Sequence, residues 1–276
     1  MILLALLLGA LGIADLVRAR SSSKPRLWLA ATLGIAAFLF ASIGSGQHWW
    51  WSPVAAAAVI GWLVSTRESD GSHRAGYWAV GGIAAAIVVA FVWGPSLPPV
   101  SGPIVDWYRD LPYTALDVVP FTSFALTVGG ALFLVETANV IVRLALRGEK
   151  TRTAEMLAAE ASAPPVLVET RRRTWWRAGS APVEPPASAP LAPFTELKGG
   201  RFIGPLERLF LLALVLAGAF TAVAAIVAAK GIIRFPEISK DAVGGSKAEY
   251  FLVGSFASWA LVLLVVLLIV TGSTPI

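Results

Sequence analysis

Glu136 and Asn139 are the residues of this chain best placed to do chemistry. They lie three apart in an apolar stretch, expected to be a helix from about Val118 to Val142, so their side chains share a face. Glu136 sits roughly 10 Å inside the end marked by Arg143, Arg147, Lys150 and Arg152, at 1.5 Å per helical residue. A carboxyl at that depth in hydrocarbon is costly unless it is paired or hydrated. The two residues therefore read either as a stop on a proton or ion path or as a hydrogen-bonded pair that fixes helix packing, with Arg143 or a neighbouring helix as partner. Asp15, three residues before Arg18, reads as an arginine partner at the headgroup level.

A second set of candidates is the charged cluster Glu207, Arg208, Lys230, Arg234, Glu237 and Glu249. Glu207 and Arg208 open an expected helix from Gly204 to Ala229, and Lys230 and Arg234, four apart, share a face just past its end. Glu249, at the start of the following helix, is positioned to pair with either cation across a short loop. Such a cluster binds an anionic headgroup or a partner protein, or it caps the helices by snorkelling and pairing with itself. Between the charges runs a small-residue ladder, Ala217, Thr221, Ala225 and Ala229, whose spacing lets helix backbones approach closely.

The same region carries a recognisable pattern. It reads Gly200-Arg201-Phe202-Ile203-Gly204-Pro205-Leu206-Glu207-Arg208, then Ala228-Ala229-Lys230 with Arg234-Phe235, then Glu249-Tyr250-Phe251-Leu252. This resembles the C-terminal helix pair of a set of multi-pass bacterial membrane proteins grouped as a domain of unknown function. The resemblance covers only the last quarter of the chain and implies membrane-spanning helices there, with no activity to carry over.

A third candidate is Arg171-Arg172-Arg173-Thr174-Trp175-Trp176-Arg177. Cations interleaved with indoles press against anionic lipid, each cation near the surface contributing about 1 kcal/mol. The expected partners are thus an anionic bilayer surface and either a membrane protein or a second copy of the chain. Nucleic acid is not expected, because the basic residues cluster between apolar spans rather than on one soluble face.

The elements that position these residues follow from composition. A chain of 276 residues that is 57% hydrophobic and 14% charged has more apolar surface than one water-soluble core can hide. The apolar runs lack the alternation of barrel strands, so the surplus faces lipid as helices. Seven are expected: Met1 to Val17, Leu27 to Ile43, Pro53 to Ser65, Gly76 to Trp93, Val118 to Val142, Gly204 to Ala229 and Tyr250 to Val270. Positive charges follow the first run instead of preceding it, so it reads as a retained helix and not a signal peptide. Five prolines between Gly94 and Asp117 make that stretch a loop.

The expected fold class is an all-α, polytopic integral membrane bundle of about seven transmembrane helices. Its parts are a five-helix region over 1–147, a partly disordered Pro/Ala-rich cytoplasmic linker over 148–203 and a two-helix region over 204–276. With the N-terminus outside and the C-terminus cytoplasmic, the cytoplasmic loops hold 17 of the 22 Lys and Arg residues. Against the trend, the last external loop holds Lys230, Arg234, Lys240 and Lys247. Scarce Lys and abundant Ala, Gly, Val and Arg suit a bacterial protein, which locates the chain in a bacterial plasma membrane.

No cysteine is present, which excludes disulfides and thiolate chemistry. There is no Walker loop, zinc-protease helix or nucleophile elbow, and no cofactor is expected. A retinal-type lysine is missing from the last helix. The expected function is a partner-binding or scaffold subunit of a bacterial membrane assembly. One alternative is a small transporter or channel with Glu136 and Asn139 on the pathway; another is a membrane enzyme acting on lipid-linked substrate, with Asp106, Asp110 or Glu237 as base.

Overall fold

The structure, a computed structural model, describes residues 1–19, 24–67, 73–94, 99–147, 200–239 and 246–273. Among these there are helices and turns and no strand. The helices are α1 (Ile2–Arg18), α2 (Lys24–Gly44), α3 (Trp51–Ser65), α4 (His73–Trp93), α5 (Pro103–Arg109), α6 (Phe121–Arg147), α7 (Gly200–Leu216), α8 (Phe220–Ser239) and α9 (Ser246–Ser273). Four of them, α2, α4, α6 and α9, hold stretches long and apolar enough to cross a membrane; α3 and α8 are shorter apolar helices. The linker expected over 148–203 lies outside the described residues up to 199, and so does the Arg171–Arg177 stretch.

Small residues decide how the bundle closes. Gly9 and Gly12 of α1 meet Gly129 and the Leu132 backbone of α6: a Cβ on Gly12 would stand 2.6 Å from the Leu132 carbonyl oxygen, and one on Gly129 would run into Ala5 O. The two helices run parallel, because Ala5 faces Gly129 while Gly12 faces Leu132 and Phe133. On the other side of α1, Gly34 of α2 rests on Ala10 O and Ala14. Apolar clusters fill both sides: Leu4, Leu8, Phe133, Leu134, Leu211 and Val265 on one, Leu11, Phe38, Val59, Trp62 and Leu144 on the other.

The contacts also fix direction. In α4, Gly76 abuts Leu144 and Gly94 lies beside the Met1 nitrogen, so α4 is antiparallel to α1 and α6. In α9, Gly254 meets Leu146, Gly130 meets Val265 and Gly272 meets Leu126, so α9 is antiparallel to α6 as well. One end of the bundle therefore collects Arg18, Lys24, Arg67, Arg143 and Arg147; it is called the basic end below. The opposite end holds the start of α1, the end of α9, α5 and the 44–51 turn, where Gly44 packs on Ile104 and the Ser101 N–H donates to Ser45 O at 3.2 Å. The start of α1 and the end of α9 thus share an end of the described bundle.

The helix expected from Gly204 to Ala229 is two helices. α7 ends in a Schellman turn: the Gly218 N–H donates to Val215 O at 3.0 Å and the Ala219 N–H to Leu214 O at 2.9 Å, with Gly218 at φ +70°. A glycine carries that left-handed backbone without a Cβ penalty. α8 then folds back, and the C-terminal region holds three helices where two were expected. The ladder residues Thr221, Ala225 and Ala229 are exposed rather than packed, and close backbone approach is made by α1 and α6 instead.

In α9 a single stripe, Ser255, Ser258, Val262, Val265 and Ile269, is buried along most of the helix. The spacing of three and four residues is that of one helix face. Packing against protein thus continues along that one face through the Leu/Val/Ile run, while most of the run stays open, with Leu263, Leu267 and Val270 exposed.

Candidate functional site

Fold-back of α8 brings together charges that a straight helix would hold far apart. Glu207 on α7 and Lys230 on α8 pair through both carboxylate oxygens at 2.7 and 2.8 Å. Trp259 of α9 points its indole N–H at the same carboxylate, 3.3 Å away, and the Lys230 ammonium stands 5.5 Å from the Trp259 ring centre. The mid-helix tryptophan thus has a polar partner.

Arg208, next in sequence, turns the other way into the bundle and is only 3% exposed. Its Nε donates to Ser258 Oγ at 2.9 Å, Nη1 to Leu134 O at 2.8 Å and Nη2 to Asn139 Oδ1 at 2.7 Å. Leu134 lies in a π turn, Phe133–Thr137, in which the Ala138 N–H reaches back to Phe133 O. The altered ladder presents a backbone carbonyl to the guanidinium. Asn139 then passes the connection on: its Nδ2 donates to Glu136 Oε2 at 2.9 Å and to Val135 O at 3.1 Å. Glu136 and Asn139 are therefore joined as their spacing predicts, but the arginine that completes them is Arg208 of α7.

Beyond Glu136 the polar residues continue to α1. Asp15 is 2% exposed, accepts the Trp62 indole N–H at 2.8 Å and pairs with Arg18 at 2.6 Å, with Thr137 of α6 facing it. Arg18 in turn donates to Thr66 Oγ1 at 2.7 Å. The arginine partner is the expected one, but Asp15 is enclosed by protein rather than wetted at an interface. A belt results, from Arg18 through Asp15, Glu136, Asn139 and Arg208 to Glu207 and Lys230, with three acids matched by three bases. Mutual neutralisation is what makes so many ionisable groups tolerable away from water.

No family model, curated protein or solved structure matches the chain. What the belt does is read from its own geometry.

Of the other expected site residues, Glu249 stands exposed in the first turn of α9, and Lys230 pairs with Glu207 instead. The side chains of Arg234 and Glu237 lie outside the described residues. Asp106 and Asp110 are exposed on and just after α5. Beside them Tyr108 donates to Val119 O at 2.9 Å; burial pushes its phenol pKa up, and Asp117 adds to the shift. Among the described residues no group of three or more His, Cys, Asp and Glu is arranged to hold a metal.

Ser258, Trp259, Trp62, Thr137 and the Leu134 carbonyl are site members that sequence reasoning did not name. Two signals pointed to part of them: a tryptophan in mid-helix, and opposite charges at nearly equal distances on either side of Gly218.

Proposed function

We propose that this chain is a multi-pass protein of a bacterial plasma membrane that serves as a partner-binding or scaffold subunit of a membrane assembly. In this reading α1 to α4, α6 and α9 cross the bilayer with the basic end in the cytoplasm, and α7 and α8 re-enter from that side. From Ser258, level with Arg208, α9 continues to Ser273, whereas α7 turns at Gly218, roughly 7 Å short of that end at 1.5 Å per residue. This topology leaves Arg109 as the single external cation among the 22 Lys and Arg residues, and it removes the exception that the last loop had made to the charge rule.

The observation that carries the scaffold reading is the bare ladder of α8. Thr221, Ala225 and Ala229 are small residues at four-residue spacing, exposed with no neighbouring helix against them among the described residues, and lipid supplies no hydrophobic drive that would explain them. α4 adds to it: only 6% of its apolar window is buried, and Gly81 and Gly82 face open space. The chain contains no cysteine, so the test is direct. Ala225→Cys in native membranes is expected to cross-link to a stoichiometric partner or a second copy, whereas Ile226→Cys, on the packed face, is not. Monomer alone from both variants, with nothing stoichiometric on gentle-detergent purification, overturns the proposal.

A second reading, a small transporter or channel, is favoured by the meeting of a π turn, a re-entrant hairpin and the acid–base belt at one depth. Liposome flux that falls on Glu136→Gln would support it; flux unchanged by that substitution removes it.

A further inference from the structure

A groove between α2 and α3 combines apolar walls with cations at one mouth. One stripe of α2, Lys24, Leu27, Trp28 and Ala31, faces one stripe of α3 and its exit, Ile60, Leu63, Val64 and Arg67, across a cavity of about 240 Å³. Each stripe follows the helical repeat of three and four residues, so each is a continuous wall. Both walls are apolar along their length, and both end in a cation at the basic end of the bundle. Trp28 is 70% exposed at the same end, where an indole suits the headgroup level. The floor is held from behind: Arg18, already paired with Asp15, donates to Leu63 O at 3.3 Å. Arg18 is thereby committed to the belt, while Lys24 and Arg67 are exposed at the mouth.

We propose that this groove is a binding site for an anionic phospholipid, with one acyl chain in the apolar slot and the phosphate between Lys24 and Arg67. The charge pattern selects the occupant. Two cations at one mouth need a net negative headgroup to balance them, which a zwitterionic lipid does not supply. A free anion would use the mouth and leave the slot empty. Basic pockets between membrane helices on the cytoplasmic side are suited to anionic headgroups. The site deepens the membrane reading above, yet its test in detergent depends neither on sidedness nor on a partner protein.

The full chain, purified in a neutral detergent, is titrated separately with phosphatidylglycerol, phosphatidylcholine and inorganic phosphate. Retained lipid is read by native mass spectrometry and the unfolding midpoint by thermal shift. Phosphatidylglycerol is expected to stay bound and raise the midpoint, and the other two are not. Lys24→Gln and Arg67→Gln should each weaken its binding about fivefold and together about thirtyfold. Both side chains are exposed, so the lipid-free midpoint should hold. Ile60→Trp, which fills the slot and keeps both cations, should also abolish retention. Equal binding of phosphatidylcholine, a midpoint shift from phosphate alone, or unchanged phosphatidylglycerol binding by the double Gln variant would each overturn the assignment.

Discussion

The α1–α6 contact and the α6–α7–α9 contact hold helices together by opposite means. In the first, Gly9, Gly12 and Gly129 remove side chains until backbone meets backbone, and the charged groups Asp15 and Glu136 come together only beyond that glycine contact, toward the basic end. In the second, Arg208 links α7 to its neighbours with hydrogen bonds to three partners on two helices, beside the Gly130–Val265 contact of α6 and α9. Both answer one physical problem. Where lipid is as apolar as a side chain, association rests on close packing or on interhelical hydrogen bonds. The packing solution tolerates no added volume, whereas the polar one tolerates no lost partner.

That contrast can be broken from either side. Gly129→Leu drives a side chain into the Ala5 carbonyl, and since neither backbone can yield, the expected outcome is loss of the folded, monodisperse species on size exclusion. Arg208→Met takes the guanidinium away from Leu134 O, Asn139 and Ser258 in the bundle interior and should cost about 3–5 kcal/mol in reversible unfolding from detergent. Should it unfold no more easily than wild type, the belt is not what joins α7 to α6. Ser258→Ala removes one bond to that guanidinium, and about 1.5–3 kcal/mol is expected in the same assay. Gly218→Ala forces a Cβ into a left-handed backbone with open space around it, so about 1 kcal/mol is expected. Last comes the partly exposed Glu207–Lys230 pair, for which a double-mutant cycle should give a coupling of about 0.5–1 kcal/mol.

Sequence alone carried the packing half further than the polar half. Apolar runs and Pro53 mark most of the long helices, because length and backbone chemistry are local properties, whereas Pro103, read as part of a loop, opens the short helix α5. The Gly204–Ala229 stretch misled because it carries no charge after Arg208 and is rich in Leu and Ala, which suit a continuous helix. Its break depends on one positive-φ glycine whose neighbours, Ala217 and Ala219, give no turn signal. With the break unseen, Glu207 and Lys230 read as opposite ends of a helix, and Arg208 as a cap at an interface. Glu136 and Asn139 were legible as a pair because three residues along one helix is a fixed distance. Their third member comes from a helix 69 positions away in sequence, which no local spacing encodes.

The position of Ser258 has a consequence for biogenesis. α9 follows α7 and α8 in the chain, so in the proposed topology Arg208 emerges from the ribosome and enters the membrane before one of its three partners has been made. Until α9 inserts, the guanidinium lacks the hydroxyl that accepts from Nε, and Glu207 lacks the indole of Trp259. Completion of translation is thereby written into the belt as a chemical checkpoint. A nascent chain stopped short of α9 exposes an unsatisfied cation at membrane depth, the kind of defect that marks a polypeptide for removal.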